Sequence, residues 1–183
     1  QLVNLFPEFK DVSVDELVSM INKTECALIR TEADELTYPL HIMVRYEIEK
    51  EIAKGNIDYD KLPELWADKY EEYLGVRPAN YKEGILQDMH WSTGYLGYFP
   101  TYALGSAYAA QLYATMEKQF DVEEALLTNH FEKITDWLKE NVHHYAASKS
   151  MAEIVEEVSG EPFNPDYYTD YLIKKYKKLY NLD

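Results

Sequence analysis

The 183-residue chain has one cysteine, Cys26, so no intramolecular disulfide can brace it, and this scarcity agrees with a reducing compartment such as the cytoplasm. Cys26 sits between Glu25 and Ala27 in a mostly apolar stretch, which favours a buried structural thiol over a nucleophile. No apolar run approaches 18 residues, so no membrane span is indicated. Positive charge is scarce: 18 Lys plus Arg stand against 33 Asp plus Glu, a formal net charge of −15. Nothing in that balance offsets repulsion from phosphate groups, which argues against nucleic acid and against an anionic membrane surface as partners. A solvated acidic face accounts for most of it. No segment alternates with the period of a strand, and no repeat or low-complexity tract interrupts the chain.

What is present is helical signal. Ser13 with Glu16 and Ser150 with Glu153 form capping-box patterns, and Asp121 with Glu124 caps a short helix. A long helix is expected from about Tyr38 to Lys54, striped by Leu40, Val44, Ile48 and Ile52 and stopped by Gly55. Pro39 either opens it or kinks a helix that began at Asp34. Pro63 suits the first turn of a helix with Trp66, Tyr70 and Leu74 inward. Pro100 opens another, through about Lys118, whose small residues (Ala103, Gly105, Ala107, Ala109, Ala110, Ala114) permit close approach. Phe131, Ile134, Leu138 and Val142 stripe a further helix. Asn164-Pro165 starts the last, with Tyr168, Tyr171, Leu172, Tyr176 and Leu179 inward and Lys174, Lys175, Lys177 and Lys178 outward. The expected fold is a single all-α domain over 1–183, an irregular bundle of about seven helices.

One stretch does not fit a packing role alone. Gly84–Gly105 holds four of the seven glycines together with Gln87, Asp88, His90, Trp91, Tyr95, Tyr98 and Tyr102. Glycine costs a helix interior about 1 kcal/mol, so clustered Gly beside His and Tyr reads as an irregular, site-forming loop. A Tyr-rich packing loop is the plainer alternative. Only three arginines occur. Arg45 can pair with Glu49 one turn along its helix, and Arg77 precedes a proline in a loop and reads as solvated. Arg30 stands beside Glu32 and Asp34, where a salt bridge to Asp34 is one reading. Asp88, two residues before His90, can orient an imidazole or cap a helix. Glu140 and His143 have a di-iron-like spacing, but no second such motif completes a site; His143-His144 reads as a cation pair at a helix C-terminus.

Ile29, Arg30, Ala33 and Asp34, with Gly84, Gln87, Asp88, His90 and Trp91, match the I-R-x-x-A-D and G-x-x-Q-D-x-H-W signatures of the carboxypeptidase Taq family of helical metallocarboxypeptidases, which this chain resembles along essentially all its length. The resemblance implies an enzyme that releases C-terminal residues from peptides with a divalent metal, zinc being the first candidate. It implies Arg30, Gln87 and Asp88 as substrate-binding residues, with Arg30 for the substrate carboxylate, and His90, Tyr98 and Tyr102 as donors to the scissile carbonyl. The family holds its metal through an HExxH helix and a downstream Glu, both upstream of the part matched here. His41, His90, His130, His143 and His144 form no such spacing, so no metal ligand is assigned within the chain. The opening Gln1–Phe6 looks like the middle of an apolar helix. The chain therefore reads as the C-terminal part of a longer peptidase, one wall of its cleft, expected to expose Leu2, Leu5, Phe6 and part of Gly94–Tyr102. Partners would be a peptide C-terminus and either a second copy or the absent N-terminal part. A non-catalytic helical binding module derived from the same fold is the alternative.

Overall fold

Residues 5–55 and 57–183, the part that the computed structural model describes, contain eight α-helices and no strand. They are α1 (Val14–Ile21), α2 (Tyr38–Lys54), α3 (Leu62–Leu74), α4 (Pro100–Glu117), α5 (Val122–Leu127), α6 (Phe131–Asn141), α7 (Met151–Ser159) and α8 (Asp166–Tyr180). Both capping boxes form reciprocally, and the Asp121 carboxylate accepts the Glu124 N–H at 2.8 Å. These side chains satisfy orphan N–H groups of the first turn. Pro39 lies in the first turn of α2. The residues before it form a turn in which Asp34 accepts the N–H groups of Leu36 and Thr37 at 2.9 and 3.0 Å. The last helix begins at Asp166, and Asn164 Oδ1 accepts its N–H at 3.0 Å.

The chain divides into two compact units, 1–103 and 104–183. In the first, α2 packs on α3 through Val44, Ile48, Trp66, Tyr70 and Leu74, with Leu40 and Ile52 against them. Each such side chain contributes on the order of 1.5–3 kcal/mol when fully buried. The stripe expected of α2 is therefore present, but a second row shares its face. His41, Arg45 and Glu49, spaced four residues apart, are also buried. In the second unit Leu112, Met116, Val122, Trp137 and Val155 form the core, with Ile134, Leu138, Val142 and Val158 against them.

Several expectations need correction. Phe131 and Tyr171 are 51% and 40% exposed, and Trp137 supplies the buried face of α6. Trp137 packs into the core beside Ile134 and Leu138, whereas Phe131, the first residue of the helix, stays outside it. Gly105 and Ala109 are exposed, and a Cβ at Gly105 would meet open space. Cys26 is exposed, because its short apolar neighbourhood lies outside any helix. His143 and His144 follow α6 in a separate 3-10 turn. Leu5 and Phe6 are 71% and 50% exposed, as expected; Leu2 lies outside the described residues. Among the described residues no helix is long and apolar enough to cross a membrane.

Candidate active site

The first unit gathers both signature segments onto α2. Arg30 lies in a 3-10 turn just before α2, and Gln87 and Asp88 end another turn 57 and 58 residues later. Asp88 Oδ1 accepts from Arg30 Nε at 3.1 Å and Nη2 at 2.7 Å, and its Oδ2 accepts from Arg45 Nε at 2.7 Å. The Arg30 salt bridge thus runs to Asp88; Asp34 is engaged by Thr24, Glu25 and Thr37 instead. Asp88 neither orients His90 nor caps a helix. Burial alone would raise its pKa, but the Arg30 hydrogen bonds and the Arg45 charge hold it below the usual carboxylate range.

The two arginines differ in what they have left. Arg45 is wholly buried and donates to Asp88, the His41 carbonyl (2.7 Å), the Tyr70 hydroxyl (3.1 Å) and Gln87 Oε1 (2.9 Å). It does not pair with Glu49, whose carboxylate faces other donors. Arg30 is 8% exposed, and its Nη1 donates to the Tyr38 hydroxyl at 3.0 Å. One N–H on each of its terminal nitrogens has no acceptor among the described residues. Its guanidinium also lies 5.1 Å from the Tyr102 ring centroid and 5.6 Å from that of Phe99. The cluster of two arginines and one aspartate carries a net positive charge.

Gln87 is fully engaged within the protein. Its Oε1 accepts the Arg30 backbone N–H at 3.0 Å as well as Arg45, and its Nε2 donates to the Leu28 and Glu83 carbonyls. On the other side of Arg30, Tyr102 meets His90, with Nε2 and the hydroxyl 3.1 Å apart. The His90 ring stacks on Tyr98 with centroids 5.8 Å apart and touches Phe99 at 4.3 Å. His90 Nδ1 is buried without a partner among the described residues. Tyr98 is 45% exposed, and its hydroxyl carries no hydrogen bond among the described residues. All six residues singled out in the sequence (Arg30, Gln87, Asp88, His90, Tyr98 and Tyr102) therefore fall in one neighbourhood.

Sequence reasoning missed Tyr38, His41, Glu49 and Tyr70, and gave Arg45 the wrong partner. The polar row at 41, 45 and 49 beside the apolar row at 44 and 48 was the available signal. His41 is completely buried, with Nδ1 3.0 Å from the Tyr70 hydroxyl and Nε2 unpartnered. Burial, reinforced by Arg45 and Arg30, lowers its pKa to about 4. Arg77, read as solvated, is held by Glu64, Asp68 and Glu71 on α3. Among the described residues no group of three or more His, Cys, Asp and Glu could hold a metal ion.

Residues 1–176 match the family model for carboxypeptidase Taq (M32) metallopeptidases. Carboxypeptidase 1 of Bacillus subtilis is 48% identical over 176 residues, covering 96% of this chain and 35% of that protein. Thermostable carboxypeptidase 1 of Thermus thermophilus is 41% identical, with 96% and 35% covered. The crystal structure of the M32 carboxypeptidase from Deinococcus radiodurans R1 superposes with a TM-score of 0.94 at 34% identity, covering 98% of this chain and 37% of that one. The chain spans about a third of the length of the curated relatives it matches.

Proposed function

The chain belongs to the carboxypeptidase Taq (M32) metallopeptidase family, and we propose that it forms the substrate-facing part of a metallocarboxypeptidase that releases C-terminal residues from peptides. The observation that carries this reading is Arg30: a buried guanidinium, braced by Asp88 and Tyr38, that keeps two N–H groups free. A free C-terminal carboxylate accepts two parallel N–H bonds, and a positively charged, poorly hydrated setting strengthens them. Gln87, Asp88 and Arg45 serve by holding Arg30 in place.

Hydrolysis adds water across the last peptide bond. The C–N bond breaks, the departing amine takes a proton, and the carbonyl oxygen carries negative charge on the way. Tyr98, with its hydroxyl unengaged, suits donation to that oxygen. Tyr102 is tied to His90, so the pair acts as a coupled donor beside it. The family's metal has no matching ligand set among the described residues.

Arg30→Lys tests the reading in a metallocarboxypeptidase that carries this sequence. Lys keeps the charge and loses the fork, so KM should rise roughly tenfold while kcat changes little. Unchanged kinetics with a lower melting temperature would reduce Arg30 to a structural partner of Asp88. The isolated 183-residue chain should not hydrolyse a C-terminally free dipeptide with Zn²⁺ or Co²⁺; metal-dependent turnover would contradict the assignment of the ligands to sequence outside this chain.

A further inference from the structure

Glu49 lies on α2 one turn beyond Arg45 and is 6% exposed. Its Oε1 accepts the Trp91 indole N–H at 2.9 Å and the Gly97 backbone N–H at 3.0 Å. These donors stand at opposite ends of the 91–97 segment, so one oxygen closes it into a ring. Other backbone bonds in the segment are local: Thr93 N–H to the Met89 and His90 carbonyls, Gly94 N–H to Trp91, and Tyr95 N–H to His90. Gly94 and Gly97 hold φ of +85° and +79°, where glycine is favoured and the backbone has many other paths open to it. Tyr95 and Leu96 are 59% and 54% exposed, so packing holds them weakly.

Trp91 is edge-on to Trp66 and Phe99 at 5.8 and 5.9 Å, which fixes the direction of its N–H toward α2. The residue after the pinned Gly97 is Tyr98. Its hydroxyl has no bond among the described residues; its carbonyl accepts from Thr101 N–H at 3.1 Å and Thr101 Oγ1 at 2.7 Å, and its ring meets His90, Tyr95 and Tyr102. The Gly97 anchor is therefore the tie that fixes Tyr98 to α2 from its N-terminal side.

We propose that Glu49 is a positioning residue of the peptidase site: by holding Trp91 and Gly97 on one oxygen, it sets Tyr98 against His90. The inference rests on Tyr98 as the oxyanion donor. A carboxyl group suits the task because one of its oxygens has two lone pairs and accepts both donors at once. One oxygen holds both donors while Oε2 stays buried without a partner, so the group is retained at some cost to stability.

Three variants test this. Glu49→Leu removes the acceptor at similar size, Glu49→Gln keeps an acceptor oxygen, and Trp91→Phe removes one donor. In the 183-residue chain, hydrogen exchange is read at the Trp91 indole and the Gly97 amide, with α3 amides as reference. Glu49→Leu should lower protection at both by roughly 10- to 100-fold and leave α3 unchanged; Glu49→Gln should stay within about threefold of the parent. Trp91→Phe should lower protection at Gly97 about threefold. In a metallocarboxypeptidase carrying this sequence, Glu49→Leu should lower kcat about 100-fold with KM little changed, Trp91→Phe should lower it about fivefold, and Glu49→Gln should recover most of it. Parental protection in Glu49→Leu overturns the proposal. So does lost protection with normal kcat while Tyr98→Phe still lowers kcat. If Glu49→Leu does not fold, parental protection and kcat in Trp91→Phe overturn it. A normal kcat in Tyr98→Phe would sink the oxyanion reading and this role with it, whereas the exchange data separately report whether Glu49 holds the segment.

Discussion

Arg45 and Gln111 are both completely buried, each on a long helix, and their surroundings differ in kind. Gln111 on α4 is neutral and paired at both ends: Nε2 donates to Ser159 Oγ and the Pro162 carbonyl at 3.0 and 3.1 Å, and Oε1 accepts the Asn164 N–H at 2.9 Å. It pins the loop between α7 and α8 to α4, and nothing in that arrangement asks for a ligand. Arg45 on α2 is embedded with Asp88, Gln87 and Tyr70, and Asp88 is shared with Arg30. Among the described residues of the first unit, His41 Nε2, Glu49 Oε2, Trp66 Nε1 and His90 Nδ1 are buried without partners. A core built only for stability pairs its polar groups or omits them, because an unpaired buried group costs about 1–3 kcal/mol. The first unit keeps charge and unpaired polar atoms where the second keeps a satisfied amide. Violations of this kind concentrate where chemistry is done.

Breaking each core should expose that difference, and the largest effect belongs to Asp88. Asp88→Asn leaves two buried guanidinium groups without their shared counter-charge and should cost about 3–5 kcal/mol, read from urea unfolding. A loss under about 1 kcal/mol would mean that solvent already screens the cluster. Tyr98→Phe should lower kcat by roughly 10²–10³ in a metallocarboxypeptidase carrying this sequence, since the lost donor matters as the oxyanion develops. Tyr102→Phe is the comparison, with a smaller loss expected because its hydroxyl is shared with His90; near-normal kcat in both removes the oxyanion role from this loop.

His41 sharpens the comparison through pH. Its pKa is lowered to about 4 in the folded protein, while the unfolded value is about 6.5. Between those values the unfolded chain binds the extra proton, so stability is full near pH 7 and falls as pH drops, by about 1.4 kcal/mol per unit toward pH 4. His41→Gln should flatten that slope by one proton in unfolding midpoints measured across the window. Asp88, held below the usual carboxylate range, loses its contribution only at more acid pH. The smallest effect is expected at Gln111→Leu, about 1–3 kcal/mol from the unsatisfied Asn164 N–H and Pro162 carbonyl, with no change in affinity for a peptide.

The helices were legible because caps and stripes are local. Ser13/Glu16, Ser150/Glu153 and Trp66/Tyr70/Leu74 all stand where spacing put them. Arg30 and the residues singled out within Gly84–Gly105 do meet in the fold, as a shared site would require. Their wiring was not legible. The i, i+4 rule paired Arg45 with Glu49, but burial turns that face inward, and Asp88 from 43 residues away competes better than a helix neighbour. Arg30 likewise passed over nearby Asp34, whose oxygens were already engaged by backbone N–H groups and by Thr24. Long-range pairing of this kind depends on which donors a local turn leaves free, and periodicity carries no record of it.

A charged core that presents Arg30 to a carboxylate has a spectroscopic signature at the guanidinium itself. Nitrogen-15 NMR of the Arg30 guanidinium, with a dipeptide titrated as the free acid and as its C-terminal amide, tests it directly. The free acid should shift the Arg30 Nη resonances, the amide should not, and Arg30→Lys should lose the distinction in the remaining amide spectrum. Equal response to the two peptides, or no response to either, would contradict it.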